Sequence, residues 1–190
     1  MSSSTSRNFL GIDVSTSCTG FALVDESGKL IEASYVYLGE FPTIYTKAEA
    51  VRHELLRYGD WNISCIAVEE CLLGFRRGKS SAQTLITLAR FNGVVHYVAS
   101  SEFGIDPHTI NVSTARKQLG IPIAKGENPK VAVAAWMRLQ EPDYPWPTKV
   151  VKRGKLKGET VLEKGVEDAS DAYVMARAAL HMNLSSNRIK

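Results

Sequence analysis

Polar and apolar positions follow distinct rhythms along this chain. The run NFLGID, residues 8–13, is almost wholly apolar after its first residue and ends in an acid, the pattern of a strand buried on both faces. The turn STSCT leads to a second apolar run near 20–25, and after ESGK a third run, LIEASYVYL, is rich in Ile, Val and Tyr. Two tight connections in succession predict an antiparallel meander of three strands. The period then lengthens. Ala48, Val51, Leu55 and Tyr58 share one face of a helix predicted over 45–58. ISCIAVEE, from Ile63, is a fourth buried strand that ends in two acids. A long helix follows Ser80 and Ser81, with Leu85, Leu88, Phe91 and Val95 on a stripe that suits either the core or a dimer interface. Thr109–Val112 is a short fifth strand.

Three helices complete the reading. Ser113 is a plausible N-cap for STARKQLG, and Asn128 followed by Pro129 marks the start of a helix running through Trp136. Residues 141–166 are rich in Pro, Gly and Lys and carry no clear core pattern, so they read as a long loop, functional or disordered. The last helix is predicted to begin near Glu167. A meander followed by alternating helices and strands predicts an α/β fold, a mixed five-stranded sheet with helices on both faces. No repeat or boundary divides it. The expected organisation is a single domain over 8–183, with tails at 1–7 and 184–190.

Composition adds limits. The 190 residues are 44% hydrophobic, ordinary for one globular domain. No apolar run approaches the ~18 residues of a membrane span, and the polar head MSSSTSRN is too short for a targeting peptide. Cys18, Cys65 and Cys71 lack metal spacing and fit small hydrophobes in a reducing compartment; His53, His96, His108 and His181 are scattered. Net charge is only +3, but its distribution is uneven. KVVKRGKLK places Lys149, Lys152, Arg153, Lys155 and Lys157 together without an acid, and FRRGK adds Arg76, Arg77 and Lys79. Such clusters are either solvated faces or the footprint of a polyanion.

The acids carry the most specific pattern. Asp13 closes the first strand, Glu69 lies near the end of the fourth, and Asp168 and Asp171 stand three apart at the head of the last helix, on one helical face. Each has an ordinary role open to it: a turn residue, a strand end, a helix cap. Glu69 and Glu70 point to opposite sides of a strand, so only one belongs with the others. Strands one and four side by side would gather all four acids under the last helix. Carboxylates so gathered repel unless a cation sits among them. Oxygen ligands without a Cys or His cluster favour magnesium or manganese, and two such ions about 4 Å apart support hydrolysis of a phosphodiester.

These residues resemble the RuvC-type Holliday junction resolvases of the RNase H-like superfamily. GID at 11–13 with TGFALV after it, IAVEE with Glu69, and the paired acids of EDASDAYVMA are similar to the family's motifs, in the family's order, across nearly the whole chain. The resemblance implies a homodimer that binds four-way DNA and nicks two strands symmetrically with two Mg²⁺ ions per site, Mn²⁺ substituting. It implies Asp13, Glu69, Asp168 and Asp171 as metal ligands, and Lys117 and Lys130 near the scissile phosphate. It also implies Phe75 as a wedge at the junction centre, flanked by the basic residues 76, 77 and 79. The setting would be the cytoplasm of a bacterial or phage-infected cell, with no membrane and no small-molecule cofactor. Two departures stand out: Val14-Ser15 where the family has Pro-Gly, and a longer, more basic 141–166 segment. Both suit a phage-encoded or divergent member with a wider range of branched substrates. Three rivals share parts of the pattern: an actin-like or sugar-kinase ATPase, which needs two such domains; an RNase H-like nuclease on RNA, of the YqgF type; and a non-catalytic binder of branched DNA.

Overall fold

A computed structural model of the chain describes residues 6–71, 81–155, 157–184 and 187–188. Strands β1 (Asn8–Asp13), β2 (Cys18–Val24) and β3 (Leu30–Tyr37) form the expected meander. Helix α1 (Ile44–Leu55) and a 3₁₀ turn over Leu56–Tyr58 lead to β4 (Ile63–Glu69), which pairs in parallel with β1. Helix α2 (Ala82–Phe103) and the short strand β5 (Ile105–Asp106) precede β6 (His108–Ile110), parallel to β4 at the sheet edge. Helices α3 (Val112–Gln118) and α4 (Pro129–Gln140), a hairpin of β7 (Thr148–Val150) and β8 (Thr160–Leu162), and helix α5 (Gly165–His181) follow, with β9 (Asn187–Arg188) pairing β5. The five-stranded sheet runs β3-β2-β1-β4-β6 with helices on both faces, as the alternation of patterns predicts.

Strand parity sorts the core. Leu10, Ile12, Phe21, Leu23, Ile66 and Val68 face one way, onto Val51 and Leu55 of α1 and Phe91, Val95 and Ala99 of α2. Phe9, Ala22, Val24, Cys65 and Ala67 face the other, onto α3, α4 and α5. The α2 stripe is therefore split: Phe91 and Val95 are core, whereas Leu85 and Leu88 are half-buried. Continuing the parity places Gly11 and Asp13 of β1, Cys18 and Gly20 of β2, and Glu69 of β4 on the α5 side.

Helix α5 presses onto that side without room to spare. A Cβ on Gly11 would stand 2.0 Å from the Ala172 carbonyl oxygen, and one on Gly20 would stand 2.2 Å from the Asp168 carbonyl. Ala169, Ala172, Ala176 and Ala179 keep the helix surface low, and all are buried. Glycine is needed here for the space it leaves, since helix backbone meets strand backbone almost directly.

Several boundaries differ from the sequence reading. Asn111, not Ser113, caps α3: its Oδ1 accepts from the Ser113 and Thr114 amides, so the helix starts at Val112. The last helix begins at Gly165, before Glu167, and α4 continues past Trp136 to Gln140. Residues 141–166 are not a structureless loop. The buried Glu141 carboxylate accepts from the Leu30 amide at 3.0 Å and the Tyr173 hydroxyl at 2.7 Å, and Tyr144 and Trp146 stack with ring centroids 4.4 Å apart. The β7–β8 hairpin then projects from the body, each strand only three residues long, too short to leave a legible alternation.

The close approach of α5 makes a test. Gly20→Ala should destabilise the protein by roughly 1–3 kcal/mol or more, as overpacking against backbone does. Gly39→Ala, where the new Cβ meets nothing within 4 Å, should stay within about 0.5 kcal/mol. Urea unfolding of both variants checks the contrast.

Candidate active site

The strand ends and the head of α5 meet in an open cleft of about 870 Å³. Asp13 and Glu69 rise from its floor, one residue beyond the paired Ile12 and Val68. Asp168 and Asp171 enter from α5, one helical turn apart. All four acids line this one cleft. Glu70, on the opposite parity, leaves it and accepts from Asn111 Nδ2 at 2.9 Å. The end of β4 is held from the other side, where Asn92 Nδ2 donates to the Glu69 carbonyl at 2.9 Å.

Charge compensation divides the four into two pairs. Asp171 is 3% exposed, and its Oδ1 accepts from Arg116 Nη2 at 2.8 Å; its Oδ2 lies 3.9 Å from Lys130 Nζ. Asp168 Oδ1 accepts from the same Lys130 ammonium at 2.8 Å. Burial still lifts Asp171 above the ordinary aspartate range, although Arg116 and Lys130 act to lower it. Burial works against the charge on Lys130, but Asp168, Asp13 and Asp171 outweigh it and hold the ammonium above its usual range.

Asp13 and Glu69 have no such partner. Neither forms a salt bridge among the described residues. Burial, a hydrogen bond to Glu69 and the nearby charges of Glu69 and Asp171 raise the Asp13 carboxyl well above its ordinary value, with Lys130 opposing. A hydrogen bond between two carboxyl groups requires a shared proton or, in its place, a cation. Cys18 borders the same floor, its thiol pushed up by burial and by Asp168 and Asp13. The donor set at Asp13 and Glu69 is therefore hard oxygen with uncompensated charge, which fits a divalent cation of the magnesium kind. Among the described residues no three His, Cys, Asp or Glu side chains are gathered into a ready metal cage. Asp168 and Asp171 are engaged by Lys130 and Arg116 instead.

The turn after Asp13 is tied to the body and to itself. Lys47 Nζ of α1 donates to the Thr16 carbonyl at 2.5 Å, Ser15 and Ser17 hydroxyls pair at 2.9 Å, and Thr19 Oγ1 donates to the Ser15 carbonyl at 3.1 Å. These bonds hold the turn at the position where Val14-Ser15 departs from Pro-Gly. Lys117 lines the cleft from α3 and is exposed. Lys149, Lys152, Arg153, Lys155 and Lys157 are exposed on the hairpin and its tip and do not line the cleft. The base of that hairpin is fastened beside it: the Glu163 amide donates to the Pro147 carbonyl, Tyr35 OH donates to Glu163 at 2.5 Å, and Tyr37 OH accepts from the Gly165 amide at 3.0 Å. Phe75, Arg76, Arg77 and Lys79 lie outside the described residues.

Arg116 is the site residue that sequence reasoning passed over in favour of its neighbour Lys117. The signal was present: Val112 and Ala115 mark the buried stripe of α3, and Arg116 stands one turn after Val112 at the edge of that stripe. Among the described residues its buried Nε has no hydrogen-bond partner, and the guanidinium is anchored to Asp171 through Nη2.

No known protein-family profile and no curated protein matches the chain. Solved structures do. The Thermus thermophilus RuvC structure superposes with a TM-score of 0.60 at 18% identity, covering 94% of this chain and 98% of that one. T. thermophilus RuvC in complex with Holliday junction substrate gives 0.60 at 14% identity, over 95% and 98%. The chain thus has a RuvC-like, RNase H-like fold across almost its full described length, as the ordered motifs imply.

The unpartnered acid pair has a stability consequence. In the unfolded chain Asp13 ionises near its ordinary value of 3.8, whereas the folded protein holds the proton to higher pH. Stability from this group is full below that value and is lost as pH rises through the raised one. With divalent cations chelated, Asp13→Asn should therefore melt a few degrees above the wild type at pH 8, with the gap closing by about pH 4. Thermal denaturation at the two pH values measures it.

Proposed function

We propose that this protein is a metal-dependent endonuclease that nicks branched DNA, four-way junctions first among its substrates, and that it acts as a homodimer on paired strands. One observation carries the reading. The uncompensated Asp13–Glu69 pair shares a cleft with Asp168 and Asp171, on a fold that matches RuvC along nearly the whole of both chains. The solved RuvC complex contains a Holliday junction, which supports DNA of that shape as the substrate.

In this reading Asp13, Glu69, Asp168 and Asp171 hold divalent cations, Mg²⁺ or Mn²⁺. When bound, the ions supply an activated water and stabilise the leaving oxygen of a phosphodiester. The side chains around them do the rest. Arg116 favours the charged form of Asp171 against its burial and fixes its direction. Lys117 and Lys130 line the cleft, which supports a role in meeting a phosphate oxygen and offsetting charge that develops on it. The tethered turn over 15–17 gives one wall of the cleft a fixed shape. The exposed hairpin supplies five cations outside the cleft, where they would follow a DNA arm leaving the cut site. The divergent turn and the hairpin also support a distant, phage-type relative with a wider range of branched substrates.

The direct test is a Mg²⁺-dependent nicking assay on a mobile four-way junction, mapped at nucleotide resolution beside flap, Y-shaped and RNA duplex substrates. Symmetric paired nicks are expected in the junction. Asp13→Asn should lower cleavage by more than about 100-fold while junction binding stays within a few-fold of the wild type; metal-dependent cleavage by that variant would overturn the site. Replacing Lys149, Lys152, Arg153, Lys155 and Lys157 together by Gln should weaken junction binding and flatten its dependence on salt, each lost phosphate contact reducing the slope by about one. Binding titrations across a salt series read the change.

A further inference from the structure

Two cations serve the α5 acids, and they are built differently. Arg116 is planted in the body of α3 with its side chain 15% exposed, and it bonds Asp171 at 2.8 Å. Lys130 is the second residue of α4, directly after a fully exposed segment at 122–129, and its side chain is 42% exposed. Its ammonium reaches both acids, 2.8 Å from Asp168 Oδ1 and 3.9 Å from Asp171 Oδ2. One lysine nitrogen thus lies within ion-pairing distance of both carboxylates. A guanidinium on a buried stem resists removal, whereas a half-exposed lysine has a compact, hydrated head on a flexible stem that exchanges partners easily.

We infer that Lys130 is a displaceable counterion. It holds Asp168 and Asp171 together in the free protein, competes there with a divalent cation, and gives way when a phosphate offers its ammonium another partner. The inference rests on the reading of the cleft as a divalent-cation nuclease site and adds to it an order of events. Charge supports that order. Among the described residues the cleft acids form ion pairs only with Arg116 and Lys130, and both of these serve the α5 pair, so Asp13 and Glu69 are left for a first divalent ion while Lys130 still guards Asp168 and Asp171. Withdrawal of Lys130 toward a phosphate uncovers the second pair at ordinary metal levels, where the ion alone competes with it poorly. Lys130 then touches substrate and metal ligands in turn, and the protein without DNA is protected from filling its site with metal.

Calorimetric titration of the full chain with Mn²⁺, in the absence of DNA, tests this directly. Lys130→Gln should bind Mn²⁺ about three- to tenfold more tightly than the wild type, or take up an additional ion, while Lys130→Arg, which keeps the charge, should stay close to the wild type. In the unaltered protein, the Lys130 side-chain methylene signals followed by NMR should move toward those of a free lysine as Mg²⁺ is added at saturating levels. This second reading does not depend on the folding of a variant. Equal affinities in Lys130→Gln and wild type, or a Lys130 signal indifferent to Mg²⁺, would overturn the counterion role while leaving the metal site standing. Binding of Mn²⁺ by none of the proteins would overturn both.

Discussion

Helix α5 touches the backbones of β1 and β2, and most of what matters in this structure follows from that contact. Gly11 and Gly20 leave no side chain between sheet and helix, and alanines on the helix answer them. A helix carried on larger residues would sit several ångströms higher. Asp168 and Asp171 would then stand above the strand ends and not beside Asp13. The same contact explains why β1 and β2 are buried along their whole length. It also explains why the carboxyl of Asp13 is buried, close to the charge of Glu69.

An acid buried at the tip of an apolar strand asks for a partner, and this site answers in two ways. The α5 pair has side-chain cations within hydrogen-bonding reach, one fixed and one loose. The strand pair has none, and its proximity stays costly unless a proton or a metal ion is shared. Such a division compensates half of the cleft and leaves the other half open to a cation. Full compensation by arginine and lysine would stabilise the cleft and close it to metal; none would set four carboxylates against one another in a dry floor.

Much of this was legible in the sequence because strands are periodic. Parity alone sends Asp13 and Glu69 to one side and Glu70 to the other, and the three-residue step from Asp168 to Asp171 aligns both on α5. The order of the acids along the chain carries the resemblance, whose expected fold the solved structures match. Arg116 was not legible in the same way, because a cation earns its place from the acid it meets 55 positions later, and its neighbour Lys117 is an equally good residue on sequence grounds. The hairpin was hidden by shortness. Asn111 and Ser113 are both acceptable caps, and only the backbone geometry chooses between them. Glu141 was also missed, since an acid beside Pro142 reads as loop until Tyr173 and the Leu30 amide are found around it.

The path of the chain through this fold sets when the cleft comes into being. Its first acid is in the first strand and its last two are in the last long helix, roughly 155 residues later in the chain. No shorter segment contains a working half, because α5 supplies two of the carboxylates and covers the strand end that bears a third. Contacts of such long sequence separation are slow to form. A chain whose α5 has not yet docked therefore lacks the cleft, even with its strands in place. Assembly of the cleft is in this sense a late event in folding, and a partly folded copy holds its acids apart.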